Sequence, residues 1–147
     1  MIRRAFIDDL DDIVRIENCS FNDPWSAESL AAEFERPFSK IFLFTESVSE
    51  GEDKDATPKI LAYIVVWLLC PEGEIVSLAV DPPYRDRGIA SALIRHVLEI
   101  FPNICWALEV DTLNIPALRV YEKCSFTRKR RIKNYYGNGR DAFLMTI

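Results

Sequence analysis

The chain has 147 residues, 18 basic and 23 acidic, for a net charge of -5, and 49% of its residues are hydrophobic. That is enough apolar material for one globular domain over residues 1–147, and it excludes intrinsic disorder; five Gly and eight Pro exclude collagen-like and low-complexity chains. The longest apolar run, Ile60 to Cys70, is about half of the ~20 residues a membrane-spanning helix needs, and the N-terminus turns acidic at Asp8-Asp9 before a signal sequence could develop, so a cytoplasmic protein is expected.

Ile2 to Phe6 reads as a first strand, after which Asp8 or Asp9 caps a helix with Leu10, Ile13, Val14 and Ile16 at helical spacing. Asn22-Asp23-Pro24 breaks it, and Ser26 starts a second helix whose apolar face includes Leu30, Ala31 and Phe34. Lys40 to Thr45 and Lys59 to Leu69 are rich in β-branched and aromatic residues and read as paired antiparallel strands across the acidic loop Glu46 to Lys59. Glu74 to Val80 is a further strand, stopped by Asp81-Pro82-Pro83, and Gly88 to Phe101 is an amphipathic helix ended by Pro102. Ile104 to Val110 alternates, with Trp106, Leu108 and Val110 on one face and Cys105, Ala107 and Glu109 on the other. A helix with Pro116 in its first turn follows Asn114, and Phe126 to Ile132 and Ala142 to Ile147 close the chain as two strands around Gly137-Asn138-Gly139. The order β-α-α-β-β-β-α-β-α-β-β predicts an α/β protein, with a locally parallel strand pair at the centre of a mixed sheet.

Charge is unevenly spread. Residues 1–60 carry 7 basic and 14 acidic side chains, while residues 61–147 carry 11 and 9. Arg128, Lys129, Arg130, Arg131 and Lys133 form a basic run beside Tyr135 and Tyr136. Such a run is either a nucleic-acid surface or an edge strand protected by charge, and the acidic total favours the edge strand. Cys19, Cys70, Cys105 and Cys124 make no C-x-x-C pair and His96 is the single histidine, so neither a metal site nor a disulfide framework nor His-based nucleophilic catalysis is expected.

Arg85-Asp86-Arg87-Gly88-Ile89-Ala90 stands between a strand and a helix. Free backbone N–H groups and the positive dipole end of a helix N-terminus suit an anion there, with Gly88 and the small Ala90 permitting close approach. The segment lacks the Lys-Ser/Thr of a phosphate loop and the three glycines of a dinucleotide fingerprint. With Val76 to Tyr84 before it, it resembles the acetyl-CoA-binding motif of the GNAT acetyltransferase superfamily, Gln/Arg-x-x-Gly-x-Gly/Ala. Leu108-Glu109-Val110, Asn114, Ala117, Tyr121-Glu122-Lys123 and Phe126 resemble the second conserved block of that superfamily. Pro24-Trp25-Ser26, Asn134-Tyr135-Tyr136 and Asp141-Ala142 are similar to the RimI-type branch, the ribosomal-protein-alanine and archaeal N-terminal acetyltransferases. Two positions depart from the pattern. Ser125 replaces the usual Gly before Phe126, and Glu74 stands where several archaeal relatives carry His.

The resemblance implies a GNAT fold with a mostly antiparallel sheet of about seven strands, a splayed parallel pair and about four helices. It implies transfer of an acetyl group from acetyl-CoA, bound as co-substrate, to a protein N-terminal α-amine, a ribosomal protein being one such partner, by direct attack in a ternary complex. The cofactor would be held by Leu78, Ala79 and Val80 on the strand edge, by Arg85, Arg87, Gly88, Ile89, Ala90 and Ser91 around its pyrophosphate, and by Asn114. Glu109 would be the general base and Tyr121 the acid that protonates the leaving thiolate, with Glu74 the second-ranked base. Trp25, Glu74, Tyr135 and Tyr136 would line the acceptor groove. Bland readings stand beside these: an N-cap for Asn114, an arginine partner for Glu109, core packing for Tyr121, Trp25, Tyr135 and Tyr136, and packing or surface for His96. The alternatives are a small amine as acceptor, a noncatalytic RNA- or ribosome-binding module built on Arg128 to Lys133, and a domain that works only with partner subunits.

Overall fold

The computed structural model describes residues 1–47, 51 and 55–147. Seven strands, β1 (Ile2–Arg4), β2 (Ser39–Thr45), β3 (Ile60–Leu68), β4 (Glu72–Val80), β5 (Cys105–Asp111), β6 (Thr127–Gly137) and β7 (Arg140–Thr146), form one sheet in the order β1-β2-β3-β4-β5-β7-β6. Every neighbouring pair is antiparallel except β4 and β5. Four helices cover it: α1 (Leu10–Ser20), α2 (Ala27–Glu35), α3 (Ile89–Ile100) and α4 (Ile115–Lys123). This is the α/β order that the periodicity predicts. Among the described residues no helix is long and apolar enough to cross a membrane.

The sheet is covered on both faces, which is why β3 is buried from Ile60 to Val66 without alternation. On one face Leu93, Ile94 and Val97 of α3 and Leu118 of α4 pack against Ile64, Val66, Trp106 and Leu108. His96 of α3 joins this layer, its ring edge-on to Phe42 with centroids 5.4 Å apart. On the other face Ile13 and Ile16 of α1 and Leu30 of α2 pack against Ile41, Leu43, Tyr63 and Val65. Burial of these aliphatic side chains contributes about 1.5–3 kcal/mol each relative to exposure, which orients the helices by their apolar stripes.

Several boundaries move, each for a local reason. The first strand ends at Arg4 rather than Phe6, because the Asp9 carboxylate accepts the Phe6 amide at 2.8 Å and the Arg3 guanidinium at 2.9 Å. Those bonds wind Ile7–Asp9 into one 3-10 turn ahead of α1. Asp9 precedes α1, but its side chain makes no cap bond to that helix. Ser26 does cap α2, its hydroxyl accepting the Ser29 amide at 3.1 Å. The penultimate strand runs past Ile132 to Gly137, because a bulge after Ile132 and the left-handed Asn134 (φ 53°) let the chain resume pairing. The Asn134 amide donates to Asp141 at 2.8 Å and its side-chain oxygen accepts the Gly139 amide at 2.7 Å. β6 is the sheet edge, and Arg128 to Arg131 and Lys133 lie exposed along it. In the predicted acidic loop, residues 48–50 and 52–54 lie outside the described residues; at its base the Glu46 amide donates to the Lys59 carbonyl at 2.9 Å.

The parallel pair needs a glycine. A Cβ on Gly73 would stand 2.5 Å from Ile104 Cγ2 and 2.8 Å from Trp106 Cζ3, so β4 and β5 meet closely there only because that atom is missing.

Candidate active site

β4 and β5 share only three rungs, Glu72 with Cys105, Gly73 with Trp106 and Glu74 with Ala107. Beyond them β5 stays with β7, while β4 follows β3. The β3 register passes from Val65 opposite Ser77 to Val66 opposite Ile75, which leaves Val76 as a bulged residue on β4. A bulge bends its strand and increases twist, so the two parallel strands splay into a wedge. The edge of β4 that faces the wedge, from Ile75 to Val80, has no strand partner there.

The end of β4 leads into the turn that carries Arg85 to Ala90. Buried Asp81 pairs with Arg15 at 3.0 Å, and a 3-10 turn over Pro82–Tyr84 follows. Asp86 (φ 62°) and Gly88 (φ 76°) are both left-handed, which turns the chain sharply into the start of α3. The first helical bond runs from the Ala92 amide to the Gly88 carbonyl at 3.0 Å. The amides of Gly88, Ile89, Ala90 and Ser91 therefore have no helical acceptor and stand at the positive end of α3, a donor set suited to the oxygens of a diphosphate.

A cavity of about 370 Å³ opens between this turn and the wedge. Leu78, Ala79 and Val80 border it from the sheet, Gly88, Ile89, Ala90 and Ser91 from α3, and Asn114 and Tyr121 from α4. Arg85 also borders it, but its side chain folds back, Nε donating to the Val80 carbonyl at 3.0 Å and Nη2 to the Ser20 hydroxyl at 3.1 Å. Arg87 does not border it; its guanidinium stacks over the Tyr84 ring at 5.3 Å. Asn114 is an N-cap as well as a cavity residue, its side-chain oxygen accepting the Ala117 amide at 3.2 Å. The cavity also takes in Ser20 and Phe21 at the end of α1, which sequence reasoning missed. Their only signal was position, directly before the helix-breaking Asn22-Asp23-Pro24.

A second group of residues gathers beside the wedge. Glu74 sits on its last rung opposite Ala107, and Glu109 is two residues along β5 on the face opposite Trp106, Leu108 and Val110. Burial, reinforced by the neighbouring Glu109 carboxyl, pushes Glu74 up to about 7. The Tyr135 and Tyr136 rings meet edge to face with centroids 4.9 Å apart, and both are partly exposed. Burial and then Tyr135 push the Tyr136 phenol up to about 12. Burial, then Tyr136, hold the Tyr121 phenol well above its ordinary value, so it stays protonated at neutral pH. The Glu74 and Glu109 carboxylates both act on Tyr135 electrostatically, which brings these groups into one neighbourhood.

Trp25 lies apart from the cavity. It packs on the α1–α2 core and borders an open depression with Glu33, Arg36 and Trp67. All four cysteines are free, and no cluster of metal-ligating side chains occurs among the described residues.

The model of the family described as acetyltransferase (GNAT) matches residues 10–126. The chain is similar to the N-alpha-acetyltransferase of Sulfolobus acidocaldarius, 28% identical over 160 residues that cover 98% of this chain and 89% of that protein. It is also similar to the ribosomal protein bS18-alanine N-acetyltransferase of Escherichia coli strain K12, 28% identical over 146 residues that cover 95% of this chain and 90% of that protein. Among solved structures it superposes on the crystal structure of the ribosomal-protein-S18-alanine N-acetyltransferase from Escherichia coli with a TM-score of 0.85 at 25% identity, covering 100% of this chain and 92% of that one.

Proposed function

The chain belongs to the GNAT family of acetyltransferases, and on that premise we propose that it acetylates the N-terminal α-amine of proteins, with residues 1–147 acting as one catalytic unit. The observation that carries this reading is the wedge between β4 and β5, with free amides on one side of it and paired carboxyls on the other. Acetyl-CoA supplies an activated thioester carbonyl. The amides of Gly88 to Ser91 would hold its diphosphate, and the unpaired edge at Leu78, Ala79 and Val80 offers hydrogen bonds to an extended amide arm. An N–H from that edge, aimed at the carbonyl oxygen, would stabilise the charge that develops there on attack. Arg85 shapes the turn through its bonds to Val80 and Ser20, while Arg87, on the outer side of Tyr84, adds positive charge.

Acceptor chemistry falls to Glu109, with Glu74 beside it. An α-ammonium has a pKa of about 8, so near neutral pH a single proton must be removed at modest cost. Glu109 takes the proton, directly or through one water, and Glu74 raises the basicity of the pair by like-charge repulsion. Tyr121, protonated and bordering the cavity, donates to the departing thiolate. Tyr135 and Tyr136 form one wall of the acceptor groove and Trp25 contributes to another, large rings giving contact area at low entropy cost.

The test is turnover by the purified chain with acetyl-CoA and a panel of short peptides that differ in their first two residues, ribosomal-protein termini included. Release of free thiol that depends on a free N-terminus is expected. Its absence across the panel overturns the reading, and turnover of small amines in preference to every peptide replaces it with a small-amine acceptor.

A further inference from the structure

Glu17 is a buried carboxylate that the chemistry above does not use. It is 2% exposed on the inner side of α1, and no cation pairs with it among the described residues. Its Oε1 accepts the Trp25 amide at 3.0 Å and its Oε2 accepts the Tyr63 hydroxyl. That hydroxyl lies 3.2 Å from Ser77 Oγ, and Ser77 follows the bulged Val76 on β4. One line of hydrogen bonds thus runs from the α1–α2 connection, through the helix and β3, to the strand that bounds the wedge. Burying an unpaired carboxyl is costly, and an apolar side chain of similar volume would fill the space at less expense, so packing alone does not account for it. Burial holds its pKa up, opposed by the Trp25 amide.

What the network fixes is the α1–α2 connection. Phe21 at its start borders the cavity, and Trp25 near its end borders a depression with Trp67. Trp67 is the cross-strand partner of Glu74. Trp67 bonds to Glu33 of α2 and is paired with Glu74, so the α1–α2 connection and Glu74 lie over the same face of the sheet, and the Trp25 end of that connection is tied to the face by its amide bond to Glu17.

We propose that Glu17 is a positioning residue for the acceptor: through the Trp25 amide and the Tyr63 hydroxyl it holds the α1–α2 connection at the distance from Glu74 that an acceptor N-terminus requires. This rests on the acceptor reading above and assigns Glu17 no contact with the reacting atoms.

The experiment measures KM for an accepted peptide and, separately, for acetyl-CoA in the full chain carrying Glu17→Leu, Glu17→Gln or Tyr63→Phe. Loss of the buried hydrogen bonds to the Trp25 amide and the Tyr63 hydroxyl predicts a rise of about tenfold or more in peptide KM for Glu17→Leu. KM for acetyl-CoA should rise much less, by under about threefold, because Phe21 is the one residue of the connection that borders its cavity, and general loss of structure does not produce such a split. Glu17→Gln keeps an oxygen for the Trp25 amide and should return peptide KM to within about threefold of wild type. If Glu17→Leu does not fold, Tyr63→Phe takes its place, since it keeps the ring and removes the hydroxyl; peptide KM should rise about threefold with acetyl-CoA KM unmoved. Unchanged peptide KM, equal rises in both constants, or a Gln variant as impaired as the Leu variant each overturns the proposal. An inactive wild type removes the acceptor reading and this proposal together, whereas an active wild type with unmoved variants overturns this proposal alone.

Discussion

Asp111 at the end of β5 and Arg140 at the start of β7 are joined through one carboxylate oxygen, which accepts Nε at 2.9 Å and Nη2 at 2.5 Å. The same guanidinium lies over the Tyr136 ring at 5.4 Å, and the other Asp111 oxygen accepts the Leu113 amide at 2.9 Å. Beyond the β5–β7 ladder, this pair fixes the tip of the β6–β7 hairpin, with its two tyrosines, against the end of the strand that carries Glu109.

Arg140→Ala should therefore act on acceptor binding more than on stability. Arg140 is half exposed, so the stability loss is held to about 1 kcal/mol by solvent screening. Peptide KM should rise severalfold with little change for acetyl-CoA, in steady-state kinetics. Burial alone would raise the Asp111 carboxyl, but the Leu113 amide and Arg140 outweigh it and hold it below the ordinary carboxylate range. A depressed folded value means that this stabilisation is present above the unfolded pKa of about 4 and is lost as pH falls through the folded value. Thermal melts should show the Arg140→Ala deficit at pH 7 and a smaller one at pH 3.

The Glu74 and Glu109 pair predicts a pH signature. Glu74 titrates near 7 through burial and its neighbour, so kcat/KM should carry an acid limb near 7 beside the one that the peptide amine supplies near 8. Glu74→Gln should remove the lower limb, because the group that titrates near 7 is then gone. Glu109→Gln should lower kcat by about 10²-fold or more through loss of general-base catalysis. The stability sign runs the other way from Asp111. Glu74 has a raised folded pKa, so the native state loses stability as pH rises from the unfolded value toward 7 and Glu74 ionises. Relative to wild type, Glu74→Gln should therefore gain more in Tm at pH 8 than at pH 5.

Gly73 and Gly88 are required for different reasons, and substitution separates them. At Gly73 a Cβ meets Ile104 and Trp106 inside van der Waals distance, so Gly73→Ala should cost about 1–3 kcal/mol of overpacking in denaturant unfolding. At Gly88 a Cβ meets nothing within 4 Å, and only the φ of 76° opposes it. Gly88→Ala should cost about 1–2 kcal/mol of backbone strain, and its kinetic effect should fall on KM for acetyl-CoA rather than for peptide.

Ser125 occupies a left-handed position, with φ of 75°, directly after Cys124, the cap residue of α4. Glycine there removes about 1–2 kcal/mol of strain and adds back about 0.5–1 of unfolded-state entropy. Ser125→Gly should raise Tm by a few degrees and leave both KM values unchanged. A fall in Tm would show that the Ser125 side chain stabilises the turn in some other way.

Element type and order were legible because they are local. Alternation in Cys105 to Asp111, helical spacing from Ile89 to Ile100 and the Ser26 cap each depend on residues within a turn or two. The turn at Arg85 to Ala90 was legible for the same reason, since a glycine before a helix start is written in consecutive residues. The boundary at Arg4 was not, because Asp9 accepts the Phe6 amide and the Arg3 guanidinium in place of capping α1, a choice of side-chain partner that no periodicity records, and neither was the extension of β6, which depends on Asp141 reaching back to Asn134. The sequence by itself determined the order of strands and helices, the donor turn and the candidate carboxyls and tyrosines. Only the tertiary structure decided that β4 and β5 part after three rungs, that Glu74 meets Glu109, that Arg87 turns out to Tyr84, and that Glu17 reaches Trp25 and Tyr63. Propensity and capping act along the chain, whereas the splay, the approach of Glu74 to Glu109 and the bond from Tyr63 to Glu17 join residues tens of positions apart and exist only once the sheet has closed.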